Sequence, residues 1–420
     1  MAKILVKQSP PLQGKVRISG AKNAALPILA ASILSTEDVY LEDVPELKDV
    51  EIMCEVLRSL GVKVEKTGKN TLVINGSGLN NYVTDYNLMN KMRASFLVMG
   101  PLLARMGRTV NSLPGGCNIG SRPIDLHLKG FNLLGAKVTE DEATISAVAE
   151  ELQGTTIYLD FPSVGATENI MMAATLAKGE TYIENAAMEP EIVDLSNFLR
   201  KMGAKVQGAG TSTIRIKGVD ELKGARHQII PDRIEAGTFM VAAAMTGGDV
   251  LVENVISSHM KPVIAKLIES GAEVIEDEES VRVIGGKDLK PIKIKTLPYP
   301  GFPTDMQAQF MALMTKLNGE NIVLETVFEN RFMHANELVK MGANIKCEDR
   351  EAVIIGGTPL KGAKVKATDL RAGAALILAG LTAQGTTEIG DIFHIDRGYE
   401  DIEMKFRNLG ANIERVTTGE

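Results

Sequence analysis

One phrase recurs six times along this chain: LRSLGVKV, FNLLGAKV, FLRKMGAKV, KLIESGAEV, LVKMGANI and FRNLGANI. Its glycines are Gly61, Gly135, Gly203, Gly271, Gly342 and Gly410, with gaps of 74, 68, 68, 71 and 68 residues. Self-similarity at a near-constant period means that one supersecondary unit has been copied, and it restricts the fold more than any local propensity does. Each glycine closes a stretch with apolar residues three and four apart, which predicts a helix ending in a left-handed cap. A pair of short β-type runs follows, as in AKVQGAGTSTIRIKG and ANIKCEDREAVIIGG, and predicts a hairpin.

The first half of each unit repeats as well. It carries a helix rich in small residues: KNAALPILAASIL, RASFLVMGPLLARM, ATENIMMAATLA, RIEAGTFMVAAAM, TDMQAQFMALMTKL and LRAGAALILAGLTA. A strand such as VYLEDVP or DVLVENV then leads into the second helix. The unit therefore reads strand–helix–strand–helix–hairpin, an α/β architecture. The last copy has only one strand of its hairpin, and the chain opens on an unpaired KILVKQ, which predicts that the first strand completes the last unit. A chain of 420 residues exceeds one core, and six units divide into two domains of three. One domain is expected over residues 22–229; the other takes 230–420 together with 1–21.

Composition narrows the function. Acidic residues outnumber basic ones, 53 to 46, and the charges are mixed along the chain, which argues against an obligate nucleic-acid binder. Three scattered cysteines, Cys54, Cys117 and Cys347, form no C-x-x-C and read as reduced thiols. The five histidines have no metal-ligand spacing. No apolar run reaches the roughly 18–20 residues of a membrane span, and the N-terminus lacks a secretory signal. The expectation is a cytoplasmic protein with no metal, no membrane and no nucleic acid.

Charged residues collect at the predicted helix starts. Lys22 and Asn23, Arg93, Arg233, Asp305 and Arg371 stand at first helices; Lys48 and Asp49, Cys117 and Arg122, Arg331 and Arg397 stand at second helices. Aspartate is a natural cap there, but cations oppose the helix dipole. Their repetition at equivalent junctions suggests that bound anions compensate them.

The loop PGGCNIGSRPID, with SGAKNAALPILAA and PGFPTDMQAQ, resembles the enolpyruvyl transferases over essentially the whole chain. The repeats are shared with 5-enolpyruvylshikimate-3-phosphate synthase; the cysteine loop resembles the branch that acts on UDP-N-acetylglucosamine. The loop departs mildly from that pattern at Asn118 and Ser121, where small residues are expected. The resemblance implies two inverse α/β domains with the active site in the cleft between them. It implies transfer of the enolpyruvyl group of phosphoenolpyruvate to the sugar 3′-hydroxyl with release of phosphate, opening peptidoglycan synthesis, with no cofactor.

By the same resemblance Cys117 donates a proton to the methylene carbon or forms a covalent adduct. A free thiol with a pKa near ~8.5 leaves both roles open. Asp305 takes the hydroxyl proton. Lys22, Arg122 and Arg397 clamp phosphoenolpyruvate, with Asn23 and Arg371 beside them. The nucleotide sugar is expected at Asn23, Arg93, Arg122, Pro123, Ile124, Asp125, Leu126, Ser163, Gly165, Asp305 and Val327. Gly115, Gly116 and Gly120 suggest that the cysteine loop is a lid. Cys54 and Cys347 read as structural. The competing readings are the shikimate-pathway reaction, which lacks this cysteine loop, and a silent paralogue that binds a nucleotide sugar without turnover.

Overall fold

The computed structural model describes residues 2–113, 124–286 and 288–417. The described residues up to Ser19 and from Pro231 onward form one compact unit, and those from Gly20 to Ile230 form the other. No helix among the described residues is long and apolar enough to cross a membrane.

Each unit holds three small sheets and three buried helices. In the unit from Gly20 these helices are Lys22–Ala31, Met99–Met106 and Val164–Ala174. In the other they are Arg233–Thr246, Gln307–Met314 and Leu370–Thr382. The last three pack on one another and are buried nearly all round. A helix buried on every face carries no polar stripe, which explains runs such as AALPILAA and AGAALILAG. The second helices, such as Lys48–Ser59 and Pro190–Lys201, are one-sided instead, with polar residues on the outer face.

The six repeat glycines all have positive φ, from 91° at Gly410 to 105° at Gly203. Each closes a Schellman motif. Gly61 N donates to Arg58 O and Val62 N to Leu57 O, and the pair recurs at every copy, down to Gly410 with Arg407 and Ala411 with Phe406. The glycine is thus a geometric requirement that turns each helix into its hairpin.

The first and last strands meet. Ala2–Lys7 lies between Thr386–Gly390 and Ile413–Thr417, antiparallel to both, with Ile4 opposite Ile389 on one side and Arg415 on the other. The N-terminal strand therefore fills the place that the second hairpin strand holds elsewhere. Two leading strands are exchanged between sheets. Gln13–Arg17, which precedes the first repeat, runs parallel to Asp249–Glu253 of the fourth. Arg226–Gln228, which precedes the fourth, runs parallel to Asp38–Glu42 of the first. In the second repeat the leading strand shrinks to one bridge, Val83 with Val110, leaving a three-stranded sheet.

Candidate active site

The helix starts deliver the charged residues as two sets, one on each compact unit. In the unit from Gly20, Lys22 is the first residue of its helix and is nearly buried. Its Nζ lies 2.5 Å from Asp49 Oδ2, and Asp49 is buried in the first turn of the helix Lys48–Ser59. The cation that opposes one helix dipole is thus met by a carboxylate that another dipole favours. Asn23, beside it, is exposed.

A second cluster in this unit surrounds His127. Arg93 opens the turn Arg93–Val98 and is half-buried. Asp125, exposed, begins the helix Asp125–Leu133, with Ile124 and Leu126 half-buried on either side. Ser163 caps Val164–Ala174, its Oγ accepting from Ala166 N at 3.3 Å. Gly165 follows; a Cβ there would stand 3.2 Å from His127 Cε1, so the glycine lets the imidazole lie against the helix start. Asn169 Nδ2 donates to Phe96 O and pairs with His127 Nδ1, both at 3.1 Å, while its Oδ1 accepts from Gly100 N at 2.7 Å. The Phe96 ring meets His127 edge-on at 5.2 Å. Burial, with Arg93 adding like-charge repulsion, lowers the His127 pKa to about 3. His127 is therefore a neutral prop between Arg93, the Asp125 helix and Gly165. No local pattern marks it in the sequence, because a lone histidine two residues into a helix has no motif.

In the other unit Asp305 sits in the turn Thr304–Met306 that starts an inner helix. Arg371 Nε and Nη2 donate to its Oδ2 at 3.2 and 3.1 Å, and Arg331 Nη2 donates to its Oδ1 at 3.0 Å. Both arginines are nearly fully buried. Arg331 on Oδ1 and Arg371 on Oδ2 thus fix the orientation of the carboxylate. Behind Arg371, Tyr399 Oη lies 3.0 Å from Thr238 Oγ1 and accepts from Gln309 Nε2 at 3.3 Å. Burial works against the Arg371 charge, but Tyr399, Asp305 and Asp232 outweigh it and hold its pKa above the usual arginine value. Asp369 caps Leu370–Thr382 by accepting from Arg371 N and Ala372 N.

Arg397 differs from expectation. It does not begin a helix: it follows the short helix Phe393–Asp396, and the next helix starts at Ile402. It is half-buried near His394, whose pKa burial and Arg397 together lower. Val327, half-buried, donates its N–H to Glu325 Oε1 at 2.8 Å. Cys117, Arg122 and Pro123, and with them the expected lid, lie outside the described residues. Cys54 is buried, as a structural cysteine should be, and burial raises its pKa to about 11. Cys347 is not a core residue: it is exposed, near the end of the hairpin strand Asn344–Glu348.

Inner-helix junctions thus bear lysine, arginine and a twice-held carboxylate, groups whose chemistry suits small anions. The family model for EPSP synthase (3-phosphoshikimate 1-carboxyvinyltransferase) matches residues 6–406, and the chain belongs to that family. Within it the chain falls among the UDP-N-acetylglucosamine 1-carboxyvinyltransferases. It is 67% identical over 419 residues to the protein of that name from Finegoldia magna, covering 99% of each chain. The Caldanaerobacter subterraneus protein named UDP-N-acetylglucosamine 1-carboxyvinyltransferase 1 is 62% identical, with 98% of this chain and 99% of that one covered. The fold matches the enolpyruvyl transferase NikO from Streptomyces tendae with a TM-score of 0.90 at 23% identity, over 100% of this chain and 99% of that one. EPSP synthase from Acinetobacter baumannii matches with a TM-score of 0.78 at 22% identity, over the full length of both. The chain is an enzyme of the carboxyvinyltransferase class.

Proposed function

We propose that this enzyme transfers the enolpyruvyl group of phosphoenolpyruvate to the 3′-hydroxyl of UDP-N-acetylglucosamine, releasing phosphate and committing the sugar to peptidoglycan. The observation that carries the reading is the Asp305 carboxylate, fixed on both oxygens by Arg331 and Arg371 at the start of an inner helix. Two relatives more than 60% identical over nearly the whole chain carry that activity in their names.

The reaction adds and then eliminates. A proton goes to the methylene carbon of phosphoenolpyruvate, and the sugar oxygen attacks the neighbouring carbon as its own proton leaves. That gives a tetrahedral phospho-ketal. Loss of a proton from the new methyl group then expels phosphate and restores the vinyl group. Asp305 is the base for the 3′-hydroxyl, moving the proton into a carboxylate that its arginines orient. Cys117 supplies the proton to the methylene carbon or adds to the substrate through its thiolate. Lys22, Arg122 and Arg397, with Asn23 and Arg371, hold the phosphate and carboxylate of phosphoenolpyruvate; each charge-assisted bond contributes roughly 1.5–3 kcal/mol. Arg93, Arg122, Pro123, Ile124, Asp125, Leu126, Ser163, Gly165 and Val327 receive the nucleotide sugar, with His127 propping their wall. The domains of this reading are 22–229 and 1–21 with 230–420. Free Cys54 and Cys347 suit a reducing cytoplasm.

The test pairs phosphate release from phosphoenolpyruvate plus UDP-N-acetylglucosamine with labelling by fosfomycin, a thiol-directed epoxide phosphonate. Release by the wild type, its loss in Cys117→Ala and an adduct at Cys117 are expected. An adduct at Cys54 or Cys347 contradicts the thiol assignment, and tight sugar binding without phosphate release contradicts the reaction.

A further inference from the structure

We infer that Glu325 is a positioning residue that sets the Asp305 carboxylate against the Val327 loop, and so fixes where the nucleotide sugar lies relative to its base. The inference rests on the roles proposed above for Asp305 and Val327. Glu325 follows the strand Gly319–Leu324 and is 1% exposed. Its Oε1 accepts from Thr296 Oγ1 at 2.8 Å, from Val327 N at 2.8 Å and from Phe328 N at 3.2 Å. Its Oε2 accepts from Thr304 Oγ1 at 2.9 Å. Four donors converge on a group that, as a carboxylate, only accepts.

Thr304 immediately precedes Asp305. Val327 and Phe328 form the loop that leads to Arg331, the donor to Asp305 Oδ1. Glu325 thus ties two backbone segments that both converge on one carboxylate. Thr296 reinforces the tie: its Oγ1 also accepts from Thr326 N at 2.9 Å, and its O accepts from Thr326 Oγ1 at 2.5 Å. Removing the carboxylate frees the turn at Thr304 and the loop at Val327 to drift separately. A displacement of about 1 Å at a reacting group costs up to about a hundredfold in rate.

Three variants and two readouts test the brace. Glu325→Ala removes every arm. Glu325→Gln keeps an oxygen for the three Oε1 bonds and presents an amide that the rotatable Thr304 hydroxyl accepts from. Thr304→Val cuts only the arm beside Asp305. Steady-state kinetics are expected to show kcat/KM for the nucleotide sugar down about ten- to a hundredfold in Glu325→Ala. KM for phosphoenolpyruvate is expected to stay within about twofold, and Glu325→Gln to recover most of the loss. Thr304→Val is expected to lower kcat with the sugar KM unchanged. A general fold defect would move both KM values and would not be rescued by glutamine.

Crystal structures of Thr304→Val and Glu325→Gln supply a readout independent of turnover. The brace predicts a shifted Asp305 carboxylate in the first and a native one in the second. Asp305 unmoved in Thr304→Val, or unchanged kcat there, overturns it; so does a glutamine variant as impaired as alanine. A wild type that releases no phosphate overturns the proposed reaction instead, and the two structures still decide the brace.

Discussion

Acidification should weaken the unit from Gly20 to Ile230 through one side chain, His127. Its ring is buried, its Nδ1 is paired with Asn169, and its pKa is lowered from 6.5 to about 3 by burial and by Arg93. A histidine whose folded pKa lies below its unfolded value binds its proton more readily in the unfolded chain. Its neutral form thus contributes stability that is complete above pH 6.5 and is lost progressively as the pH falls toward 3. Between pH 7 and pH 5 the loss is about 2 kcal/mol, from roughly 1.4 kcal/mol per pKa unit over the part of the gap traversed. His127→Gln removes the titration and retains an acceptor and a donor for Asn169. Urea denaturation of the full chain at pH 7 and pH 5, at fixed ionic strength, isolates the contribution. His334, whose pKa burial lowers to about 4, is common to both proteins and cancels. The wild type should lose about 2 kcal/mol more than the variant over that interval. Equal losses would show that the ring escapes burial on protonation and would refute its role as a neutral prop.

Other expectations follow from the same geometry. Asp305→Asn should reduce phosphate release by at least about a hundredfold, the low end of general-base contributions, with a much smaller loss of nucleotide-sugar binding by calorimetry. Gly203→Ala should destabilise by about 1–2 kcal/mol in thermal or urea melts, because φ is +105° while the space around the new Cβ is open. Gly130→Ala should cost about 1–3 kcal/mol through overpacking, since its Cβ would stand 2.3 Å from Ile170 Cδ1 and 2.4 Å from Cγ1, and that cost should shrink in an Ile170→Ala background, because the Ile170 Cβ is 3.7 Å away. Iodoacetamide at pH 8 should modify Cys54 far more slowly in the folded protein than in urea, as its pKa of about 11 leaves little thiolate; equal rates would contradict its burial.

The repeat was legible because its glycines are compulsory. A left-handed residue after each second helix leaves a mark at the same position in every copy. The inner helices were legible for a related reason: burial on nearly every face disfavours charge and favours small side chains. Partners were not legible. Asp305 meets Arg331 26 residues away and Arg371 66 residues away, and no local pattern encodes either bond. The sequence left the cations at the helix starts to bound anions. In the structure Asp49 meets Lys22 and Asp305 meets Arg371, so the protein itself supplies part of the compensation. Arg397 was misplaced because the last repeat breaks its second helix in two around Gly398 and Asp401, the latter at φ 47°. Glu325 and His127 carry no motif at all. Their meaning comes from what the fold places beside them.

The most direct test of the central claim is the structure of the product. The enzyme is incubated with carbon-13-labelled phosphoenolpyruvate, UDP-N-acetylglucosamine and shikimate 3-phosphate together, and the mixture is followed by carbon and phosphorus NMR. The account predicts one inorganic phosphate per sugar consumed and a vinyl ether carbon joined to the 3′-oxygen of the N-acetylglucosamine. Transfer to shikimate 3-phosphate, or phosphate released with no label on the sugar, would contradict it.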